Sequence, residues 1–288
     1  MTKYVTINLF DVDWTQQTHQ TLSQTLDDYG AMPLDQRWRD DIRLDKVQAR
    51  PAAPNRGLPA RYMLDFSKRR EVGPGKLGTS APVQDIVLGQ DEDFGEETAA
   101  LYVPSKKWLV VLYNHAGIGP SRMVEYFNAL DPGGNKHFDY RASPKLDPQA
   151  MARFGSMRNL LSVEVTATVD ALATSGAAEG MAVAAATAGA RKISFELRAN
   201  SGRKKTNFLS MAAVRSMVNG LLAQDPDDVS ILKVKGEDPK SGQQDQVIDL
   251  LEHKLKQKFP QQDLVVMQHR YTLDSRWMLL ERALRFWL

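Results

Sequence analysis

Cysteine is missing from all 288 residues. Its absence removes disulfides, thiol nucleophiles and every cysteine-ligated zinc or iron–sulfur centre, and it agrees with a reducing cytoplasm. Long apolar runs are missing too. The most apolar stretch, residues 181–190, is alanine-rich and about half the roughly 20 residues that a membrane-spanning helix needs. The opening MTKYVTINLF lacks the charged-then-apolar layout of a signal peptide, so the expectation is a soluble, cytoplasmic chain. Histidine is scarce: His19, His115, His137, His253 and His269 stand alone, none at metal-ligand spacing from another. His115 falls between a strand and a turn, where catalytic residues often sit, but without a partner it reads as structural. No G-x-S-x-G, Walker A or dinucleotide-binding glycine fingerprint occurs. Gly117-Ile118-Gly119-Pro120 is too short to cradle phosphates and reads as a turn. Composition and motifs therefore point to no cofactor, no metal and no catalytic residue.

What is present describes a globular chain, 42% hydrophobic and 25% charged, long enough for two domains. The net charge of +2 conceals a gradient. Residues 1–100 hold 12 basic and 16 acidic side chains, residues 101–190 hold 8 and 7, and residues 191–288 hold 17 and 12. A basic end of this kind suits a polyanionic partner.

The alternating YVTINLFDV predicts a first strand. A weakly helical stretch over 15–29 follows, and IRLDKVQARP and ARYMLDFSKRR read as two strands. Residues 72–97 read as a long irregular connection. The acidic run Asp91, Glu92, Asp93, Glu96 and Glu97 within it lacks the ligand pattern of a calcium loop and reads as solvated. Residues 99–103 and 108–113 predict a hairpin, and Ser121 is a plausible N-cap for a helix ending near Leu130. The Pro- and Gly-containing segment after that helix marks a boundary between an N-terminal α+β domain over 1–140 and a C-terminal domain over 141–288. In the latter, strands LLSVEVTATV, KISFELRAN, VSILKVKG and DLVVMQHRY alternate with helices over 176–189, 206–222, 246–258 and 275–288. These strands alternate in polarity rather than running continuously apolar, which a parallel sheet buried on both faces does not tolerate. The expected fold is α/β of the α+β kind, with mixed or antiparallel sheets, helices mainly on one face, and a partly solvated, basic other face. The apolar last helix is expected to dock on its own sheet.

Chemistry concentrates around FELRANSGRKKTNFL. Arg198, Arg203, Lys204 and Lys205 flank a glycine turn before a predicted helix start, where side chains and unpaired backbone N–H groups would agree in attracting an anion. Lys233 and Lys235 alternate on the solvated side of a neighbouring predicted strand. Paired strands would merge the six cations into one strip able to follow a phosphodiester backbone. No base-reading module is present, so phosphates are the expected contact. Two alternatives stay open. Glu196-Leu197-Arg198 is a degenerate Glu-x-Lys nuclease core in which arginine, unable to deprotonate, stands for lysine. A non-catalytic protein–protein adaptor would ignore nucleic acid and bind a protein partner instead.

Two stretches carry a family resemblance: AALYVPSKKWLVVLYNHAGIGPSRMVEYFN, and the alternating tail NLLSVEVTA, KISFELRAN and VSILKVKG with the turn GRKKTN. In layout this resembles the RexA-type phage-exclusion proteins and, more loosely, the DNA-binding KwaB-type defence proteins, over residues 95–260. The resemblance implies a cytoplasmic, homodimeric, non-enzymatic protein of antiviral defence. It would bind duplex DNA without strong sequence preference and act with a membrane-embedded effector. The first 90 residues have no counterpart in it, and no family residue carries over position by position.

Overall fold

The computed structural model describes residues 3–70, 72–74, 76, 84–90, 92–131, 136–174, 179–199, 208–222, 224, 228–238 and 243–288. In chain order the elements are β1 (Tyr4–Asp13), α1 (Leu22–Ala31), β2 (Trp38–Arg39), β3 (Ile42–Arg50), β4 (Arg61–Arg70), β5 (Phe94–Val103) and β6 (Trp108–Leu112). They continue with α2 (Pro120–Asn128), β7 (Arg141–Pro144), α3 (Pro148–Ser156), β8 (Arg158–Thr168), α4 (Val169–Thr174), α5 (Glu179–Thr187) and β9 (Lys192–Arg198). The last are α6 (Met211–Leu222), β10 (Val229–Asp238), β11 (Gln243–Asp249), β12 (Lys256–Pro260), β13 (Val266–Met267), β14 (Arg270–Tyr271) and α7 (Leu273–Arg285). The fold is α+β with open, mostly antiparallel sheets. Among the described residues no helix is long and apolar enough to cross a membrane.

The chain forms two compact units. Unit 1 comprises Met1–Ile7, Val12–Tyr140 and Gln257–Leu288; unit 2 comprises Asn8–Asp11 and Arg141–Lys256. The chain thus leaves unit 1 after Tyr140 and returns to it at Gln257, whereas local pattern alone predicts one C-terminal domain over 141–288. The apolar stripe of α7 explains the return, because its partner surface is the sheet of unit 1.

That sheet has the order β12-β1-β6-β5-β4-β3-β2. Side chains alternate along β4, and each face meets different helices. On the even-numbered face the Phe66 ring meets Tyr126 and Phe127 of α2, and Tyr29 of α1 stacks on Tyr126 with ring centroids 4.7 Å apart. The Tyr126 hydroxyl donates to the Arg37 carbonyl at 2.6 Å and accepts from the Leu44 N–H at 3.1 Å. Burial pushes this phenol up to about 12. Local chemistry starts both helices. Thr21 and Gln24 form a capping box at α1, while α2 begins on Pro120 with Gly119 as its N-cap, two residues earlier than the expected Ser121 cap.

The odd-numbered face receives α7, whose Trp277, Leu280, Ala283 and Leu284 are buried. Two ionic anchors accompany them. Arg276 reaches Asp65 at 2.7 Å, and Glu281 accepts from Arg61 at 2.5 and 2.9 Å and from Arg50 at 2.9 Å. Glu96 and Glu97 lie on β5 rather than in a solvated loop. Glu96 pairs with Arg70, and Glu97 pairs with Arg270 and, at 3.3 Å, with Arg276. Strand pairing with β4 extends β5 back to Phe94, which local propensity alone does not reveal.

Burial raises the Asp65 carboxyl from its usual 3.8 to about 7, against the pull of Arg276 and with added repulsion from Glu97 and Asp45. The folded state therefore holds this proton more tightly than the unfolded chain, so stability rises as pH falls from about 7 towards 4. Thermal denaturation of wild type and Asp65→Asn between pH 8 and 5 checks this. The stability of wild type relative to the variant should climb on acidification, by at most about 1.4 kcal/mol per pH unit. A difference that stays flat with pH would show that Asp65 remains ionised throughout.

Unit 2 is built on a four-stranded antiparallel sheet of order β11-β10-β8-β9. Val163 and Val165 of β8, Leu232 and Val234 of β10 and Ile248 of β11 point into its core. Phe154 of α3, Leu172 of α4, Ala182 of α5 and Val218 and Leu221 of α6 close that core from the same side. Gly236 lets β10 press against β8. A Cβ there would lie 2.9 Å from Leu160 Cδ2 and 3.1 Å from the Arg158 carbonyl oxygen. The expected helix over 246–258 is absent: residues 243–249 form β11, paired with β10 through Val234↔Ile248. Val247, Leu250, Leu251 and Leu255 follow period 3.6 and not period 2, so pairing with β10 overrides the local pattern here. The expected strand DLVVMQHRY is also smaller than predicted, a short hairpin of β13 and β14 in unit 1. Its two turn residues, Gln268 and His269, have φ of 50° and 65°.

Candidate nucleic-acid interface

The register of unit 2 places the polar side chains in rows. Arg198, Ser162, Lys235 and Val247 lie side by side across β9, β8, β10 and β11. Glu196, Glu164, Lys233 and Asp249 form the next row, and Ser194, Thr166 and Ile231 the one after. All point away from the helix-covered core, since their neighbours in sequence point into it. Arg198, Lys233 and Lys235, expected to share a solvated face, do share one. Two strand spacings, about 10 Å, separate the backbones carrying Arg198 and Lys235. Arg203, Lys204 and Lys205, the other three expected contacts, lie outside the described residues, as does the glycine turn at Gly202.

This face is not purely basic. Arg198 donates to Glu196 at 2.6 Å, with the arginine 75% exposed and the carboxylate 34% exposed. Lys233 stands 4.0 Å from Asp249. The hydrogen bond from Arg198, joined by one from Ser162 and by the charge of Lys235, holds the Glu196 carboxyl below its usual range. Thr166 and Ser194 share a hydrogen bond of 2.8 Å. Among the described side chains of these rows, with Lys192 included, four cations share the face with three carboxylates, Glu164, Glu196 and Asp249. Alternation within β9 already sets Glu196 on the face of Arg198, and cross-strand register adds Glu164 and Asp249. Together they make a face of mixed charge on which cations and carboxylates are already paired with one another.

The structure also places the residues of the alternative nuclease core. Glu196 lies opposite Glu164, but its carboxylate is engaged by Arg198. Among the described residues no group of three or more His, Cys, Asp or Glu side chains is placed to hold a metal ion.

A family of unknown function (DUF6731) matches residues 2–275, and the chain belongs to it. No curated protein matches the sequence.

Proposed function

We propose that this DUF6731 chain binds duplex DNA through the helix-free face of the unit 2 sheet, contacting phosphates rather than bases. The observation that carries the reading is the convergence of Arg198, Lys233 and Lys235 in two adjacent cross-strand rows. The basic balance of residues 191–288 supports it, as does the position of the GRKKTN segment shortly after Arg198 in sequence. Resemblance to phage-exclusion proteins supplies the setting: a non-enzymatic, cytoplasmic role in antiviral defence with a partner effector. The carboxylates on the same face favour one second reading, a protein partner of mixed charge.

Glu196 separates the two. Neutralising it releases Arg198 and removes a repulsive charge, so Glu196→Gln should tighten DNA binding, by several-fold at low salt. Fluorescence anisotropy with a short duplex of arbitrary sequence, repeated from about 50 to 200 mM salt, measures this. Expected is a linear fall of log affinity with log salt, parallel for unrelated sequences. Absence of salt-dependent binding, or weaker binding by Glu196→Gln, counts against the DNA reading. Tighter binding of an acidic-and-basic protein partner from the same genome neighbourhood would favour the second.

A further inference from the structure

Strand β9 ends its sheet, and no described strand pairs with its outer edge. The inner pairing tells which backbone groups face outwards. The Ala199 N–H donates to the Leu161 carbonyl at 2.7 Å, and the Arg191 carbonyl accepts from the Val169 N–H at 3.1 Å. Odd-numbered residues thus bond inwards to β8. Because these groups alternate along a strand, the N–H and C=O of Lys192, Ser194, Glu196 and Arg198 face outwards. The apolar side of the same edge is thinly covered. Leu197 is 42% exposed, and on α5, which packs beside β9, Met181 is 39% and Val183 61% exposed. An open edge bordered by exposed hydrophobic side chains is a template for strand addition.

We propose that β9 pairs antiparallel with β9 of a second copy of this chain, about a two-fold axis at Ser194. Charge selects this register. With the axis at Ser194, each Lys192 stands opposite the partner's Glu196, and each Ile193 stands opposite the partner's Phe195 on the core side. With the axis at Phe195, Lys192 would oppose the partner's Arg198. With the axis at Glu196, that carboxylate would oppose its own copy. Of these three only the first has opposite charges facing, and all three allow outward-facing backbone groups to bond. An axis at Leu197 would also set Glu196 against Arg198, but it pairs only residues 196–198 of β9, against 192–196 for the axis at Ser194. The result is one sheet of eight strands through two subunits. Lys192 then shares Glu196 with Arg198, which draws the arginine's counter-charge into the interface.

The absence of cysteine makes the register directly readable. Ser194→Cys puts two thiols opposite each other in a hydrogen-bonded pair, with Cα atoms about 5.5 Å apart, inside the roughly 4.4–6.8 Å window for a disulfide. Mild oxidation should convert this variant to a covalent dimer, while Lys192→Cys, whose mate faces residue 196, should stay uncrosslinked. Sedimentation equilibrium should find the wild type dimeric at micromolar concentration. Glu196→Lys should raise the dimer dissociation constant about tenfold or more by setting lysines opposite each other. The exchange Lys192→Glu with Glu196→Lys should restore the dimer. A monomeric wild type overturns the proposal, and so does a dimer indifferent to Glu196→Lys. A folded exchange variant that stays dissociated overturns the register. The mass readout is independent of whether DNA binds.

Discussion

Glu281→Ala is expected to lower the free energy of unfolding by about 3–5 kcal/mol. Arg61 is 5% exposed, and its Nε and one terminal nitrogen both donate to Glu281 Oε1. Its remaining bonds go to the carbonyls of Pro51 and Pro59 at 3.2 and 3.1 Å. Removing the carboxylate leaves a guanidinium in a place that water cannot reach, and desolvation without a counter-charge is the larger part of the loss. Arg50 suffers less, since its side chain is 30% exposed and lies over the Trp277 ring at 5.3 Å. The size of the effect therefore depends on Arg61 alone. Replacing both partners, Arg61→Leu with Glu281→Leu, should recover most of the loss, because neither charge is then stranded. Urea denaturation of the three variants measures it. A loss of under about 1 kcal/mol for Glu281→Ala would mean that the pair is hydrated in solution and behaves as a surface bridge.

Joint reversal of Arg198, Lys233 and Lys235 to glutamate should abolish measurable DNA affinity at physiological salt while leaving the core of unit 2 intact. Three lost phosphate contacts remove about three units of the salt slope, and three new carboxylates add repulsion to a face that already carries Glu164, Glu196 and Asp249. Non-specific binding at physiological salt is weak, with dissociation constants of about 10⁻⁴–10⁻⁶ M, so even a hundredfold loss puts the complex out of range. These side chains point away from Val163, Val165, Leu232 and Val234, so the unfolding midpoint should shift little. Affinity within about threefold of wild type would move the contact elsewhere, to the GRKKTN segment or away from nucleic acid altogether.

Much of unit 2 was legible because β8, β9 and β10 alternate cleanly, and period 2 identifies both a strand and its buried face. That pattern placed Arg198, Lys233 and Lys235 on one surface. It could not supply Asp249, because β11 (QQDQVID) is polar and becomes a strand only beside β10. Nor could it supply the pairing of Arg198 with Glu196, which depends on rotamer choice. In unit 1 the hairpin of β5 and β6 and the helix α7 were readable from local pattern. The engagement of Glu96 and Glu97 was not, since their partners Arg70, Arg270 and Arg276 are 26 to over 170 positions away. Long-range charge pairing leaves no trace in local spacing.

The route of the backbone sets a timetable for assembly. On a ribosome, the residues that build the four-stranded sheet of unit 2 all emerge before Gln257, whereas the sheet of unit 1 must wait for α7 to cover it. The bond between Arg61 and Glu281 spans 220 positions, so the younger segment seals the older one. Until then Met63, Asp65 and Arg61 have no lid, and nascent chains halted near residue 256 should be caught by chaperones or proteases that recognise exposed strand faces.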